Sequence, residues 1–335
     1  SSITYKFRSF KMKKQLLIAA VAATMGTAAM ADVSITGDAK FEYFNTETST
    51  VSTNKTNTEV NLGIKGKNGD TAVVINVEVN GHGDDQIDIE DMYMTTKIGD
   101  VTVKGGDYAT GTSAILGEID NGGRANDKVT ISGSNGGVSW YAGNSGTSGG
   151  STQIDGNMFV GASMDVAGWK VQAKHNSATV DSFGISGDVA GLGIRLEQKN
   201  DTAANGDVTF GNLAYSTNGI DLGYAWIDAD KAGKVTEDDS SIFAVEMATD
   251  GGVAIATATG ITQVSAKTSV AGNTVTVKAG SVENGIATGT DLDYTQIAVS
   301  RPLASGATFA ATYTDKDDSA TTDTQILELD LSVKF

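Results

Sequence analysis

From Asp32 to Phe335 apolar and polar positions alternate with a period of two, and no stretch carries an apolar stripe at helical spacing. The pattern predicts strands and turns throughout. In the first segment Val33, Ile35, Ala39, Phe41 and Tyr43 share one face, with Ser34, Thr36, Asp38, Lys40 and Glu42 on the other. Val60, Leu62 and Ile64 alternate with Glu59, Asn61, Gly63 and Lys65 in the next, and Val73, Ile75, Val77 and Val79 alternate with Asn76, Glu78 and Asn80 in the third. Short hairpin-turn signals punctuate the pattern at Asn68-Gly69-Asp70, Gly99-Asp100, Asn135-Gly136-Gly137, Ala167-Gly168, Ala190-Gly191, Asn218-Gly219, Asp250-Gly251-Gly252, Gly272-Asn273 and Ser305-Gly306.

Longer polar connections separate these turns, at 46–56, 109–126, 143–154, 200–206, 228–240, 283–290 and 316–322. Short turns at one end and long loops at the other predict an all-β fold, a closed antiparallel transmembrane β-barrel. A soluble β-sandwich would share the alternation, and three features favour the barrel over it. The chain is long for one sandwich and has no linker that would divide it. Charges and amides occupy successive positions of the polar faces, which suits a wet lumen better than a dry core. The last segment sets Leu327, Leu329, Leu331, Val333 and Phe335 against Glu328, Asp330, Ser332 and Lys334. Division at every turn signal gives about twenty segments, of which those near 180–200 and 252–282 are short.

Ahead of the alternating region, Met12 is followed by Lys13 and Lys14, an apolar run from Leu16 to Met25, and Ala29-Met30-Ala31. This predicts a secretory signal peptide over 12–31, cut before Asp32, with residues 1–11 an upstream extension and 32–335 one barrel domain. Cleavage removes Lys6, Arg8, Lys11, Lys13 and Lys14 and no acid, taking the formal charge from −17 to −22.

Composition narrows the chemistry. With no Cys, there are no disulfides, thiolate metal sites or cysteine nucleophiles. His82 and His175 are the two histidines, each isolated in sequence, and neither a catalytic triad nor a His-rich metal centre can be assembled from them. An outer-membrane hydrolase would need a nucleophile and base facing lipid at the barrel rim, and the sequence offers no such pair. It therefore predicts no enzymatic activity, no cofactor and no metal. Acidity argues against nucleic acid. Asp228-x-Asp230-x-x-Gly233 with Asp239 echoes a calcium loop, but Ala232 stands at the fifth position and no flanking helices are predicted. The acidic run Asp315-Lys316-Asp317-Asp318 reads as a solvated loop.

One stretch carries a more specific likeness. Asp91-Met92-Tyr93-Met94, then Ile98-Gly99-Asp100-Val101-Thr102-Val103-Lys104-Gly105-Gly106-Asp107, a long loop, and Arg124-Ala125-Asn126-Asp127-Lys128-Val129-Thr130-Ile131-Ser132 resemble strands four to six of Gram-negative trimeric general-diffusion porins. The chain departs from that pattern at Gly106, where the family usually has arginine. The resemblance implies sixteen strands, with eighteen also compatible, and a loop near 109–126 that folds inward to narrow the pore. It nominates Glu118 and Asp120 as constriction acids and Arg124 as a base near them. A homotrimer is implied, with contacts from Val33, Ile35, Leu329 and Leu331. So is an assembly signal at Leu331, Val333 and Phe335, read by the barrel assembly machinery.

The expected function follows from both readings. An outer-membrane barrel of sixteen or more strands passes small hydrophilic solutes and ions by diffusion. Asp38, Glu42, Glu59, Glu78, Asp88 and Glu90, with Lys40, Lys65 and Lys104, are the expected pore-lining residues, and the excess of acids predicts a preference for cations. Outer-membrane lipids and lipopolysaccharide are the expected surroundings. The alternative is a surface structural or adhesive β-protein of S-layer type.

Overall fold

In the computed structural model the alternating segments are strands and the short turn motifs close them into hairpins. The structure describes residues 32–81, 87–109, 115–116, 124–144, 158–177, 180–201, 206–230, 242–244, 259–283, 291–318 and 323–335. The predicted signal peptide and the extension before it lie outside these residues. The strands are β1 (Asp32–Thr48), β2 (Ser52–Asn68), β3 (Thr71–Asn80), β4 (Ile87–Ile98), β5 (Val101–Ala109), β6 (Arg124–Asn135), β7 (Val138–Asn144), β8 (Met158–Val166) and β9 (Trp169–Asn176). They continue as β10 (Val180–Val189), β11 (Leu192–Asp201), β12 (Val208–Thr217), β13 (Ile220–Ala229), β14 (Gly260–Val270), β15 (Asn273–Glu283), β16 (Leu292–Pro302), β17 (Ala307–Asp318) and β18 (Thr324–Lys334).

Every strand pairs antiparallel with its neighbours in sequence, and β1 pairs with β18, so the sheet closes into an 18-stranded barrel. The expectation of sixteen strands is corrected. The turns at Ala190-Gly191 and Ala271-Gly272 each join two full strands, so neither region can be merged to reach sixteen. The second of these turns sits one residue earlier than the sequence suggested. The signal at Asp250-Gly251-Gly252 falls in the connection between β13 and β14, outside the described residues.

Turn chemistry sets the register of the hairpins. Gly136-Gly137, Ala167-Gly168, Ala190-Gly191, Asn218-Gly219 and Ala271-Gly272 have positive φ at both central residues, the type I′ pattern whose twist matches that of the strands. Three of these turns place an alanine at φ of 49° to 55°, a region that side-chain-bearing residues other than Asn and Asp disfavour.

Eighteen strands about 4.8 Å apart and tilted by about 40° give a barrel roughly 35 Å across, too wide for wall side chains to fill. Ten tilted residues rise about 25 Å, the height of an outer-membrane apolar band. The two 17-residue strands, β1 and β2, therefore project beyond the band. The outward face carries Ile35, Phe41, Met94, Ile131, Phe183, Leu222, Val264 and Phe309, all exposed. The inward face buries Glu42, Lys128, Gln172 and Glu197 instead. Apolar outside and charged inside is the reverse of a soluble protein, and it is stable only where lipid surrounds the wall.

At the seam, Gly37 and Phe335 exchange backbone hydrogen bonds of 2.9 Å in both directions, while Leu331 and Val333 stand opposite Phe41 and Ala39. Gly37 has no room for a side chain: an added Cβ would overlap the Asn61 carbonyl oxygen of β2 and lie 3.0 Å from the Phe335 ring.

Candidate functional site: the lumen

Along the inward positions acids outnumber bases from β18 to β4, and bases outnumber acids from β5 to β11. Glu328 and Asp330 of β18, Asp38 and Glu42 of β1, Glu59 of β2, Glu78 of β3 and Asp91 of β4 all occupy inward positions. Glu42 is buried, ion-paired with Lys40, and accepts a 3.1 Å hydrogen bond from Asn57. Carboxylate oxygens of Glu42, Glu328 and Asp330 lie within 4.8 Å of one another, a cluster that closure of the seam creates from the two ends of the sequence. Amides thread between the acids, Asn61 donating to Glu59 at 2.6 Å and Asn76 to Asp91 at 2.8 Å.

Bases take over from β5 to β11: Lys104, Lys128, Lys174, Arg195 and Lys199 all point inward. Two register shifts, at Asn76/Val77 and at Gly106/Tyr108, lie where the arcs meet. Bulges of this kind re-aim side chains. Here Gly106 has φ of 135°, and an added Cβ would collide with the backbone of Met92 and Tyr93. No arginine can stand at this position, which explains the departure from the porin pattern in physical terms. Its place is taken by Lys104, whose Nζ lies 3.7 Å and 3.8 Å from the ring centres of Tyr93 and Tyr108. Those rings meet edge to face at 5.6 Å. Lys128, 1% exposed, donates to the Tyr108 carbonyl at 3.0 Å, and Tyr108 shares a 2.6 Å hydroxyl contact with Thr130.

Two connecting segments lie inside the barrel. In the β5–β6 connection, Ile115 and Leu116 are 1% and 0% exposed and sit against Gly184, where any side chain would occupy their space. Arg195 holds this segment, donating from Nε at 3.1 Å and from Nη2 at 2.9 Å to the Ile115 carbonyl while pairing with Glu197. In the β13–β14 connection, Phe243 and Ala244 pack into an apolar core with Phe210, Ile227, Ile261, Val282, Leu292 and Tyr294, with Ile242 against its edge. Gln263 grips it from the wall: its Nε2 donates to the Ile242 carbonyl at 2.6 Å and its Oε1 accepts from the Ala244 amide at 2.8 Å.

The sequence-nominated residues distribute as follows. Asp38, Lys40, Glu42, Glu59, Lys65, Glu78, Asp88 and Lys104 fall on inward positions of the register. Glu90 falls at the β4 bulge with no opposite partner in β3, so the register does not assign it to either face. Glu118 and Asp120 lie outside the described residues. Arg124 opens β6 opposite Ala109, and its side chain is likewise outside the description. His82 is outside it too, whereas His175 faces outward with Nδ1 2.7 Å from Asp181 Oδ1. The expected excess of lumenal acids is not what the register gives, because inward bases balance inward acids along the described strands. Much of the surplus faces outward at the strand ends that carry the long connections, as at Asp228, Glu283, Asp293, Asp315 and Asp317. Sequence reasoning missed Lys174, Arg195 and the Ile242–Ala244 segment. The last had a signal, an apolar tripeptide inside an otherwise polar connection.

No protein-family model matches the chain, and no curated protein is similar to it. Solved structures are. Pseudomonas aeruginosa OpdL superposes with a TM-score of 0.66 at 11% identity, over 91% of this chain and 99% of that one. P. aeruginosa OccK11 (OpdR) gives 0.65 at 13% identity over 91% and 96%, and Acinetobacter baumannii OccAB4 gives 0.63 at 10% over 92% and 100%. The fold is that of outer-membrane porins. The likeness spans the whole barrel, and with the apolar exterior it fits a wall that crosses a membrane by its strands.

Proposed function

We propose that the chain is a porin, a water-filled channel for passive diffusion of small hydrophilic solutes and ions, with no chemical step. The observation that carries this reading is the closed 18-strand wall whose inward face is charged, with acids in excess from β18 to β4, where Lys40, Lys65 and Lys334 also face inward, and bases in excess from β5 to β11, where Asp188 and Glu197 do. Such a lumen sets a field across the pore and lets cations and anions follow different walls. The Ile115–Leu116 and Ile242–Ala244 segments narrow the passage from two sides. Homotrimers formed through the outward faces of β1 and β18, including Val33, Ile35, Leu329 and Leu331, complete the proposal, as do recognition of Leu331, Val333 and Phe335 by the assembly machinery and the constriction roles of Glu118, Asp120 and Arg124.

Cation preference then arises chiefly at the extracellular mouth, where the surplus acids concentrate cations, rather than on the balanced walls. Charges at a mouth act through solvent and are screened over about 10 Å at 0.1 M salt and about 3 Å at 1 M. Single-channel recording in planar bilayers under a KCl gradient tests the reading. Ohmic steps with a cation-selective reversal potential at low salt, fading toward zero near 1 M, are expected. Absence of steps from the folded protein would sink the open channel, and an anion-selective potential would sink the cation preference alone.

A further inference from the structure

We propose that the ion preference of the channel is one-sided: the mouth at the long connections selects cations, the mouth at the short turns selects neither sign, and ions are sorted by charge only when the dilute solution bathes the long-connection end. This rests on the channel reading above and adds to it which end of the pore does the sorting.

The cross-strand register treats charge in opposite ways at the two ends. At the short-turn end acids stand directly opposite lysines: Asp32 faces Lys67, Asp165 faces Lys170, Asp221 faces Lys267 and Asp38 faces Lys334, all on the inward side. Lys170 Nζ lies 4.0 Å from Asp165 Oδ1. Lys65 and Lys97 also face inward here, against Asp188, with Asp70 and Asp100 in the turns, so the two signs are close to balance. Between the ends, Lys40 faces Glu59.

At the long-connection end acids stand opposite acids. Glu78 faces Asp88 on the inward side, Asp293 faces Asp317 on the outward side, and Asp228 and Glu283 flank Gly260 in one outward row. Asp88, Asp228, Glu283, Asp293 and Asp317 are all exposed. Of the bases nearest that end, Lys128, Lys174 and Lys316 are buried, at 1%, 7% and 4% exposure. By sequence, the connections between these strand ends add Lys231 and Lys234 as bases, and Asp84, Asp85, Asp155 and Asp250 among their acids.

Like charges directly opposite weaken a strand pair, and opposite charges support it. The wall therefore holds a negative potential at one mouth at a cost to strand pairing, while at the other mouth pairing cancels the charge. A mouth sorts ions only where its field reaches across the opening. That reach is about 10 Å at 0.1 M salt and about 3 Å at 1 M, so in a salt gradient the mouth in the dilute solution decides the preference. With dilute solution outside the long connections the acids act at full range. With the gradient reversed they are screened, and the balanced mouth has no preference to impose.

The test holds one channel of the mature chain in a planar bilayer between about 0.1 M and about 1 M KCl and reads the reversal potential before and after the two solutions are exchanged. Orientation comes from Ser305→Cys, in the short turn between β16 and β17 and then the one thiol of the chain. A maleimide–dextran too large to pass the pore attaches there from one chamber only and raises the current noise. With dilute salt at the long connections, potassium is expected to permeate about threefold more readily than chloride, and with dilute salt at the short turns the ratio should fall to about one. Asp228→Asn, Glu283→Gln, Asp293→Asn and Asp317→Asn together should lower the first ratio by about half and leave the second as it is. Lys67→Gln, Lys170→Gln and Lys267→Gln together should raise the second ratio, since Asp32, Asp165 and Asp221 then lose the lysines opposite them, and leave the first. Heat-modifiable mobility on gels checks that the variants are folded, and exchange of the solutions on the parent chain carries the test if they are not. An equal ratio in both directions, a larger ratio with dilute salt at the short turns, or a folded lysine variant with both ratios unchanged would each overturn the one-sided preference while leaving the channel standing. Absence of steps would overturn the channel and the preference together.

Discussion

Arg195 is the clearest place to perturb the lumen, because one guanidinium holds both a wall carboxylate and an inward segment. Arg195→Met removes two donors from the Ile115 carbonyl, at 3.1 Å and 2.9 Å, while keeping most of the side-chain volume. A hydrogen bond from a charged donor is worth about 1.5–3 kcal/mol, and two to the same oxygen are not additive, so the tether is worth about 3 kcal/mol. That shifts the balance between seated and released segment by a factor of about 10². A second effect comes with it: Glu197, 2% exposed, loses this cation, which strains the wall by a further ~3 kcal/mol. Arg195→Met with Glu197→Gln relieves the strain without restoring the tether. Thermal unfolding should thus separate the two variants, the single one melting lower. Single-channel traces should group them, both with larger conductance and more open-channel noise than the parent. Conductance and noise equal to the parent in both variants would refute the tether.

Gln263→Leu should act in the same way on the other side of the lumen, releasing Ile242–Ala244 at a loss of about 2 kcal/mol and raising conductance, with no change if that segment does not narrow the pore. Ala190→Asn and Ala271→Asn, at φ of 55° and 51°, should each raise the urea midpoint slightly, by about 0.5 kcal/mol in stability, since Asn tolerates that backbone region better. Gly37→Val should push β1 off the Asn61 carbonyl of β2 and crowd the Phe335 ring, lowering the temperature at which the barrel unfolds on gels, whereas Gly66→Val, with nothing near its Cβ position, should leave it unchanged.

What could be read from sequence was whatever is written in local period. Alternation marked the strands and their two faces, and Gly-containing dipeptides marked the hairpin turns, because both depend on neighbouring residues. Strand number was lost for a definite reason. Sixteen was what the porin resemblance implied, and the regions that looked over-divided, around Ala190-Gly191 and Ala271-Gly272, each join two full strands, while Asp250-Gly251-Gly252 lies outside the described residues. Lumenal chemistry was legible by face but not by arc: nothing local says that Glu42 will meet Glu328 and Asp330, since only closure brings them together. Total charge misled about the walls because outward acids at the strand ends count in the sum but do not face the pore. Gly106 shows the same limit, its glycine being dictated by a bulge opposite Tyr93 rather than by any need of the pore.

The seam has a consequence for biogenesis. All strand pairings but one join neighbours along the chain, so hairpins can form in any order as the polypeptide is delivered. The exception, β1 with β18, closes a loop of roughly 290 residues, an entropic penalty of about 5 kcal/mol. Eleven facing pairs and the Gly37–Phe335 exchange offset it at about half a kilocalorie per mole each. Until that happens, both edges present bare amides and carbonyls that hydrocarbon cannot satisfy, each at several kilocalories per mole. An intermediate with every hairpin in place is therefore as unfit for lipid as one with half of them. Insertion becomes an all-or-none event governed by the last strand to arrive, and a protein shielding those two edges would control the timing of the whole process.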